Sequence, residues 1–190
     1  KDPTAAVSEV VEPIVYYLDR GTPEPVASAL IEGGNWWAQA FEAAGFKNAF
    51  RVELAPEGMD LMDVRNNVIQ WVHRATRGWS YGYGLMDPRT GEILNGSPKI
   101  FHSVLKLSNN WYFAQVSPND PRAQKLPLPE SLQGDLLAYV VTHEVGHTLG
   151  LPHNMRASST YSIKQLRSKE WTEKWGDESS IMDYGRFNYV

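Results

Sequence analysis

A chain of 190 residues is long enough for one domain with a sizeable core, and its 42% hydrophobic and 12% aromatic residues indicate a globular protein. The net charge of -4 argues against nucleic acids and anionic membranes as partners, and the sequence has no run of about 18 apolar residues that could span a bilayer. Because it starts with Lys1 and shows no signal-peptide pattern, we expect it to be one domain of a larger polypeptide.

The first half of the chain predicts strands around one helix. β-branched and aromatic residues indicate strands, whereas apolar residues at helical spacing followed by Gly45 indicate a helix with a defined end. Trp36 and Trp37 lie in this helical pattern, so we expect both to pack on a sheet rather than to bind a ligand. The expected elements are strands at 13–19, 50–54 and 68–73 and a helix at 25–44.

Large and small residues alternate at 79–86, where Gly82 and Gly84 leave one face of a predicted strand almost bare. Another element could cross the strand closely at this face, or a second backbone could approach its edge. A turn at 87–91 follows, and residues 92–107 are expected to hold one strand and the start of a helix.

The most informative stretch is HEVGHTLGLPHN at 143–154, which contains three of the five histidines in the chain. His143 and His147 are four residues apart, so on a helix both imidazoles project from one face. His153 can join them only if the helix ends and the chain turns back, and Gly150 permits that turn because glycine adopts positive φ. Three imidazoles with an open fourth position are typical of catalytic zinc, and the sequence contains no cysteine that could close the site.

Two helices are predicted in the second half of the chain. The active-site helix should span 132–149 with Ser131 as its N-cap, and a mixed charged and aromatic helix should span 163–175 and end at Gly176. The apolar stripe of the first helix, separate from its histidine face, consists of Leu137, Val141, Val145 and Leu149. Lone histidines elsewhere are expected to be structural, namely His73 and His102.

The sequence at 143–154 resembles the zinc-binding signature of the metzincin metallopeptidases, and SIMDY at 180–184 resembles their Met-turn. Together with DPRTGEI at 87–93 and SIMDYGRFNYV at 180–190, these motifs make the chain most similar to a bacterial Met-zincin domain found in large proteins. The resemblance implies an extracytoplasmic location, secreted, periplasmic or at the cell surface, whereas a cysteine-free composition is compatible with either a reducing cytosol or bacterial export.

The resemblance implies an α/β (α+β) fold. We expect a mixed twisted sheet with an antiparallel edge strand, a backing helix and the active-site helix in an upper subdomain at 1–150. A small irregular lower subdomain at 151–190 should carry the Met-turn. The C-terminal helix that usually follows a metzincin Met-turn is missing, so we expect this lower part to be truncated.

The predicted function is a zinc-dependent endopeptidase with one Zn²⁺ held by the three histidines and a protein or peptide as substrate. Glu144 is next to a ligand on the helix and would act as general base. The resemblance assigns Met182 a supporting position beneath the ligands and makes Tyr184 a candidate for stabilising the oxyanion. It also makes the strand with Gly82 and Gly84 a candidate for aligning the substrate.

Two alternatives are open. In a gluzincin-type zinc hydrolase, a later glutamate such as Glu173 would be the third ligand, which would leave Gly150 and His153 without a function. In a binding module, the fold would persist without catalysis, but the presence of Glu144 argues against this because loss of the base is the simplest way to disable such a site.

Overall fold

The computed structural model describes residues 1–74 and 80–188, so the start of the predicted strand, Trp79, lies outside the described residues. Among those residues, no helix has the length and apolarity needed to cross a membrane. The strands are β1 (Ser8–Glu9), β2 (Ile14–Leu18), β3 (Phe46–Lys47), β4 (Phe50–Leu54), β5 (Asn67–Val72), β6 (Gly84–Met86), β7 (Ile93–Gly96) and β8 (Lys99–Phe101). The α-helices are α1 (Val26–Ala43), α2 (Ser103–Val116), α3 (Glu130–Thr148), α4 (Ile163–Leu166) and α5 (Lys169–Trp175).

A parallel sheet with the strand order β4-β2-β5-β8 forms the centre of the fold. The strands predicted in the first half of the chain are confirmed as β2, β4 and β5, and α1 forms the crossover from β2 towards β4. Side chains from this sheet are buried in the main core, including Tyr16, Leu18, Val52, Ile69 and Ile100.

An antiparallel segment borders the sheet beyond β8. The Tyr81 amide donates to the Lys99 carbonyl at 3.1 Å, and the Lys99 amide donates to the Tyr81 carbonyl at 2.8 Å. This segment continues into β6, which pairs antiparallel with β7. The predicted mixed α/β fold with an antiparallel edge is confirmed. Residues 92–107, however, hold two strands before α2 rather than one, because β7 pairs with β6 and β8 pairs with β5.

The backing helix α1 packs closely against α3 and β4 through two glycines. A Cβ atom on Gly33 would lie 2.4 Å from the Cα atom of Ala138, and one on Gly34 would lie 2.7 Å from a methyl carbon of Val52. Each glycine weakens an isolated helix by roughly 1 kcal/mol relative to alanine. The glycine pair that weakens the helical pattern in the sequence is therefore required by the packing.

The two tryptophans of α1 have different environments. Trp37 packs against the core, and its Nε1–H donates to the Thr142 carbonyl at 2.8 Å. Trp36 is 40% exposed, so the prediction that it packs in the core is wrong. Neighbouring residues on a helix are about 100° apart, and only one of the two indoles can face α3.

The start of α3 differs from the prediction. The N-cap position is Pro129, with extended backbone at φ -54° and ψ 145°, and Ser131 lies inside the helix. Proline holds φ near the helical value, which favours the start of a helix at this position. The predicted core stripe is buried at Leu137, Val141 and Val145, with Leu149 packed at its edge.

The single helix predicted at 163–175 is instead two short helices, α4 and α5. Ser162 caps α4, and the Ser168 hydroxyl accepts a hydrogen bond from the Trp171 amide at 3.2 Å to start α5. A serine side chain at this position offers the backbone an alternative to a continuous helix, so the chain restarts there. Gly176 ends α5 with φ 72°, as predicted.

Candidate metal centre

His143 and His147 lie one turn apart on α3, and their ring centroids are 4.7 Å apart. The ring of His153 lies 4.6 Å from that of His147, and the Nε2 atoms of these two residues are 3.1 Å apart. The three histidines offer nitrogen atoms that all lie within 4.8 Å of one another. The structure therefore brings the three predicted ligands to one point.

The chain reverses between His147 and His153 through Gly150, which has φ 87°. The Gly150 amide donates to the His147 carbonyl at 3.0 Å, and the Leu151 amide donates to the Gly146 carbonyl at 3.1 Å, so the last carbonyls of the helix are satisfied. A side chain at Gly150 would be strained in this left-handed conformation. The local sequence thus places the third histidine beside the first two.

Backbone carbonyls fix the orientation of the two helical histidines. His143 Nδ1 lies 2.7 Å from the Ile181 carbonyl, and His147 Nδ1 lies 2.8 Å from the Leu151 carbonyl. A carbonyl oxygen only accepts, so each Nδ1 carries the proton and each Nε2 keeps its lone pair. Histidines that bind metal ions in proteins commonly have their tautomer and ring orientation fixed by such a hydrogen bond.

The donor set fits catalytic zinc. Within residues 1–74 and 80–188, no aspartate or glutamate joins the three histidines, so the protein leaves a coordination position open. Glu173, the third ligand of the gluzincin alternative, has a 66% exposed side chain and lies 3.6 Å from the Lys169 ammonium. The structure thus places Glu173 in a surface pair outside the histidine group.

Glu144 is 8% exposed and lies beside His143 on α3. Burial raises the pKa of its carboxyl to about 7, and a hydrogen bond from the Gly82 amide acts in the opposite direction. A divalent cation held by the neighbouring histidines would lower this pKa and favour the ionised form at neutral pH.

Met182 is 3% exposed and packs against Gly146, which lies between His143 and His147 on α3. A Cβ atom at Gly146 would lie 2.3 Å from the Met182 sulfur and 2.9 Å from Cζ2 of Trp37. Gly146 was not identified from the sequence. The only signal was a glycine inside a helical pattern, which costs stability unless packing requires it.

Two hydrogen bonds hold the turn at 180–184 against the segment that carries His153. The Asn154 amide donates to the Met182 carbonyl at 2.8 Å, and the Ser158 hydroxyl donates to Asp183 Oδ2 at 2.6 Å. Asp183 is 2% exposed, and the hydrogen bond from Ser158 is the main reason that its pKa is lowered. These contacts fix the third histidine relative to the turn and were not predicted.

Tyr184 lies over the histidine group. Its ring centroid is 4.3 Å from that of His153 and 5.6 Å from that of His143, with which it stacks. The side chain is 55% exposed, so its hydroxyl can reorient without leaving a buried site.

The sequence was compared with known proteins. Residues 125–190 match the Met-zincin family model. This match confirms the predicted resemblance to the metzincins over the segment that carries the three histidines and the Met-turn, residues 180–184. A solved structure of high choriolytic enzyme 1, a hatching enzyme zinc-protease from the medaka fish Oryzias latipes, aligns with 14% identity and a TM-score of 0.37 over 100% of this chain and 74% of that chain. No curated protein matches the sequence.

The segment with the two predicted substrate-binding glycines crosses α3, and only its end, β6 (Gly84–Met86), is a strand. A Cβ atom on Gly82 would lie 2.0 Å from the Glu144 carbonyl oxygen, and one on Gly84 would lie 3.6 Å from the Thr148 carbonyl oxygen. The shared glycine face therefore looks towards α3, and Gly82 in particular allows the strand to approach the helix. The predicted close crossing is present, and the strand edge is available as well because Tyr81 and Tyr83 make the hydrogen bonds to the neighbouring strand.

We expect Gly82→Ala to destabilise the protein by about 1–3 kcal/mol and to lower its zinc affinity, because the strand or the helix must move to accept the methyl group. Gly84→Ala is the matched control, since a Cβ there meets only ordinary contacts and neither glycine has positive φ. Urea unfolding and zinc titration of both variants measure the difference. Equal effects would show that the close crossing at Gly82 does not position the ligands.

Two cavities meet at the candidate metal centre. One, of about 500 Å³, extends along the strand edge past His147, Gly150 and His153. The other, of about 630 Å³, extends between α2, the first half of α3 and the segment after the Met-turn. Ser80, His143, Glu144 and Tyr184 line both cavities.

His73 and His102 lie outside this site. Their rings stack with centroids 6.0 Å apart, and His102 Nδ1 accepts a hydrogen bond from the Arg74 amide at 3.0 Å. Neither joins the metal-binding group among the described residues. Their predicted structural role agrees with these contacts.

Proposed function

We propose that this chain is a zinc-dependent endopeptidase that hydrolyses peptide bonds in extended substrates. The observation that carries the proposal is the convergence of three imidazoles beside the buried carboxyl of Glu144, where two cavities meet. The match to the Met-zincin family supports a metallopeptidase.

His143, His147 and His153 would hold the ion through their Nε2 atoms. Zn²⁺ at this position would polarise the scissile carbonyl and favour deprotonation of water near neutral pH. The open side of the histidine group faces the cavities, so substrate and water can reach it.

Glu144 is the proposed general base. Its carboxyl is held by the Gly82 amide and lines both cavities, so it can accept a proton from the attacking water. The same carboxyl then returns the proton to the leaving amine, which keeps the proton count of the reaction balanced.

Tyr184 is the proposed donor to the developing oxyanion. Its exposed phenol stands beside His143 and His153, so a small rotation brings the hydroxyl to a carbonyl bound at the open position. Such a hydrogen bond would form only as negative charge develops on the carbonyl oxygen. It therefore lowers the activation barrier and does not strengthen binding of the substrate in its ground state.

The segment 81–86, which ends in β6, is the proposed platform for the substrate backbone. Alternate residues of this segment bond the neighbouring strand, so the amides and carbonyls of Gly82 and Gly84 are directed to the opposite edge. An extended peptide can pair with that edge.

We expect the zinc-loaded chain to cleave members of a peptide library, to lose this activity on chelation and to regain it when zinc is restored. Mass spectrometry of the products identifies the cleaved bonds. Peptides shortened at one end, so that they pair with less of the strand edge, should be cleaved with a lower kcat/KM than the full-length peptides. If the chain binds one zinc per molecule and cleaves none of the peptides, the proposal is contradicted and the binding module is favoured.

A further inference from the structure

We propose that the cavity between α2, α3 and the segment after the Met-turn is a specificity pocket for a lysine or arginine side chain of the substrate, with Glu178 as the residue that recognises its charge. The inference rests on the proposed peptidase function. We refer to this cavity as the Glu178 pocket.

The Glu178 pocket begins at the metal centre and has apolar walls. Its volume of about 630 Å³ lies in the range of pockets that bind small ligands, and its mouth is lined by His143, Glu144 and Tyr184. A side chain next to the cleaved bond can therefore enter it. The walls include Val104, Leu107, Trp111, Leu136 and Val140.

Glu178 contributes a carboxylate with no ion-pair partner among the residues that the structure describes. Its Oε2 atom is buried without a hydrogen-bond partner, and no lysine or arginine of the described residues forms an ion pair with it. Gly185 leaves the space that this side chain occupies, because a Cβ atom there would lie 2.5 Å from Glu178 Cγ. The Glu178 side chain therefore fits at this position because residue 185 is a glycine.

The other charged groups of the Glu178 pocket already have partners. Asp183 accepts from Ser158 and from the Tyr184 amide, and Asp177 accepts from the Asn188 amide at 3.3 Å. The Arg186 guanidinium lies 4.6 Å from the centre of the Trp111 ring. Burial, Asp183 and Asp177 together raise the pKa of Glu178, which a bound cation would lower again.

A basic side chain matches both features of this pocket. Its methylene stem can pack on the apolar walls, while its charged end reaches Glu178 and forms a charge-assisted hydrogen bond. A leucine, which is shorter and has no donor, would leave the Glu178 carboxylate without a cationic partner, which is costly in a site of low polarity.

The direction of the strand indicates which substrate residue enters. Gly82 crosses α3 at Glu144 and Gly84 crosses it at Thr148, so strand and helix run in the same direction, and the Glu178 pocket lies towards the Ser80 end. A peptide that pairs antiparallel, the more stable arrangement, runs from Gly84 to Ser80. The residue that follows the cleaved bond then enters the pocket.

The test compares two peptides that differ only in lysine or leucine after the cleaved bond. We expect the zinc-loaded wild type to prefer lysine in kcat/KM by about tenfold or more, and Glu178→Gln to remove this preference while leucine peptides are cleaved as before. Glu173→Gln makes the same change of charge on an exposed residue outside the pocket and should keep the preference. A lysine preference that survives Glu178→Gln, or none in the wild type, would overturn the inference.

A binding measurement separates this inference from the proposed catalysis. Hexylamine and 1-hexanol have the same length, and NMR titration of the full chain should show tighter binding of hexylamine by the wild type and no such preference in Glu178→Gln. If no peptide is cleaved but this preference is observed, the endopeptidase proposal fails and the pocket stands. If peptides are cleaved without any dependence on Glu178 and hexylamine is not preferred, the pocket fails and the peptidase stands.

Discussion

Replacing Glu144 by glutamine is expected to lower kcat/KM for peptide hydrolysis by at least about 10² while zinc content and fold are retained. The glutamine amide oxygen can still accept from the Gly82 amide, so the side chain keeps its place but can no longer take a proton from water. In the zinc-free protein, where burial raises the pKa of the Glu144 carboxyl, a neutral side chain should leave the melting temperature equal or higher.

The measurements are kcat/KM on a cleaved library peptide, zinc content by mass spectrometry and thermal unfolding. Glu173→Gln is the matched control, since it removes the same charge from an exposed residue outside the metal centre. Wild-type activity in Glu144→Gln would exclude this residue as the base, and loss of zinc together with activity would indicate a structural role instead.

Replacing His153 by alanine is expected to weaken zinc binding by more than about 10², because effects of that order already arise when only a supporting partner of a ligand is lost. His153 is the best ligand to change, since it is exposed and its removal leaves no cavity. His143, by contrast, is 6% exposed and bonded to the Ile181 carbonyl, so its loss would combine metal and packing effects.

Zinc affinity is measured by competition with a chelator, and the melting temperatures of the zinc-free wild type and His153→Ala should agree. Glu173→Ala distinguishes the two ligand sets and should bind zinc as the wild type does. Retention of zinc by His153→Ala with loss in Glu173→Ala would establish the gluzincin arrangement and refute the histidine group.

The spacing of His143, His147 and His153 was sufficient to predict a common site because every step is local. Residues four apart share a helix face, and Gly150 turns the chain back within a few residues. Strands β2, β4 and β5 were equally predictable, since buried parallel strands have continuous apolar and β-branched sequences. The sequence by itself thus determined the candidate metal-binding histidines and most of the central sheet.

Only the tertiary structure decided which neighbours each residue meets. Gly146 and Gly82 are required because Met182 and the backbone of α3 approach them, and the approaching groups are distant in the sequence. The exposure of Trp36 depends in the same way on how α1 lies against α3. The Glu178 carboxyl, which forms no ion pair within the described residues, becomes a candidate recognition group only because it lines the cavity that α2 and α3 enclose. Hydrophobic periodicity and turn-forming residues act over a few positions of the chain, so they can be recognised in the sequence. Burial, close approach and charge pairing depend on packing between distant segments, and local sequence rules do not specify that packing.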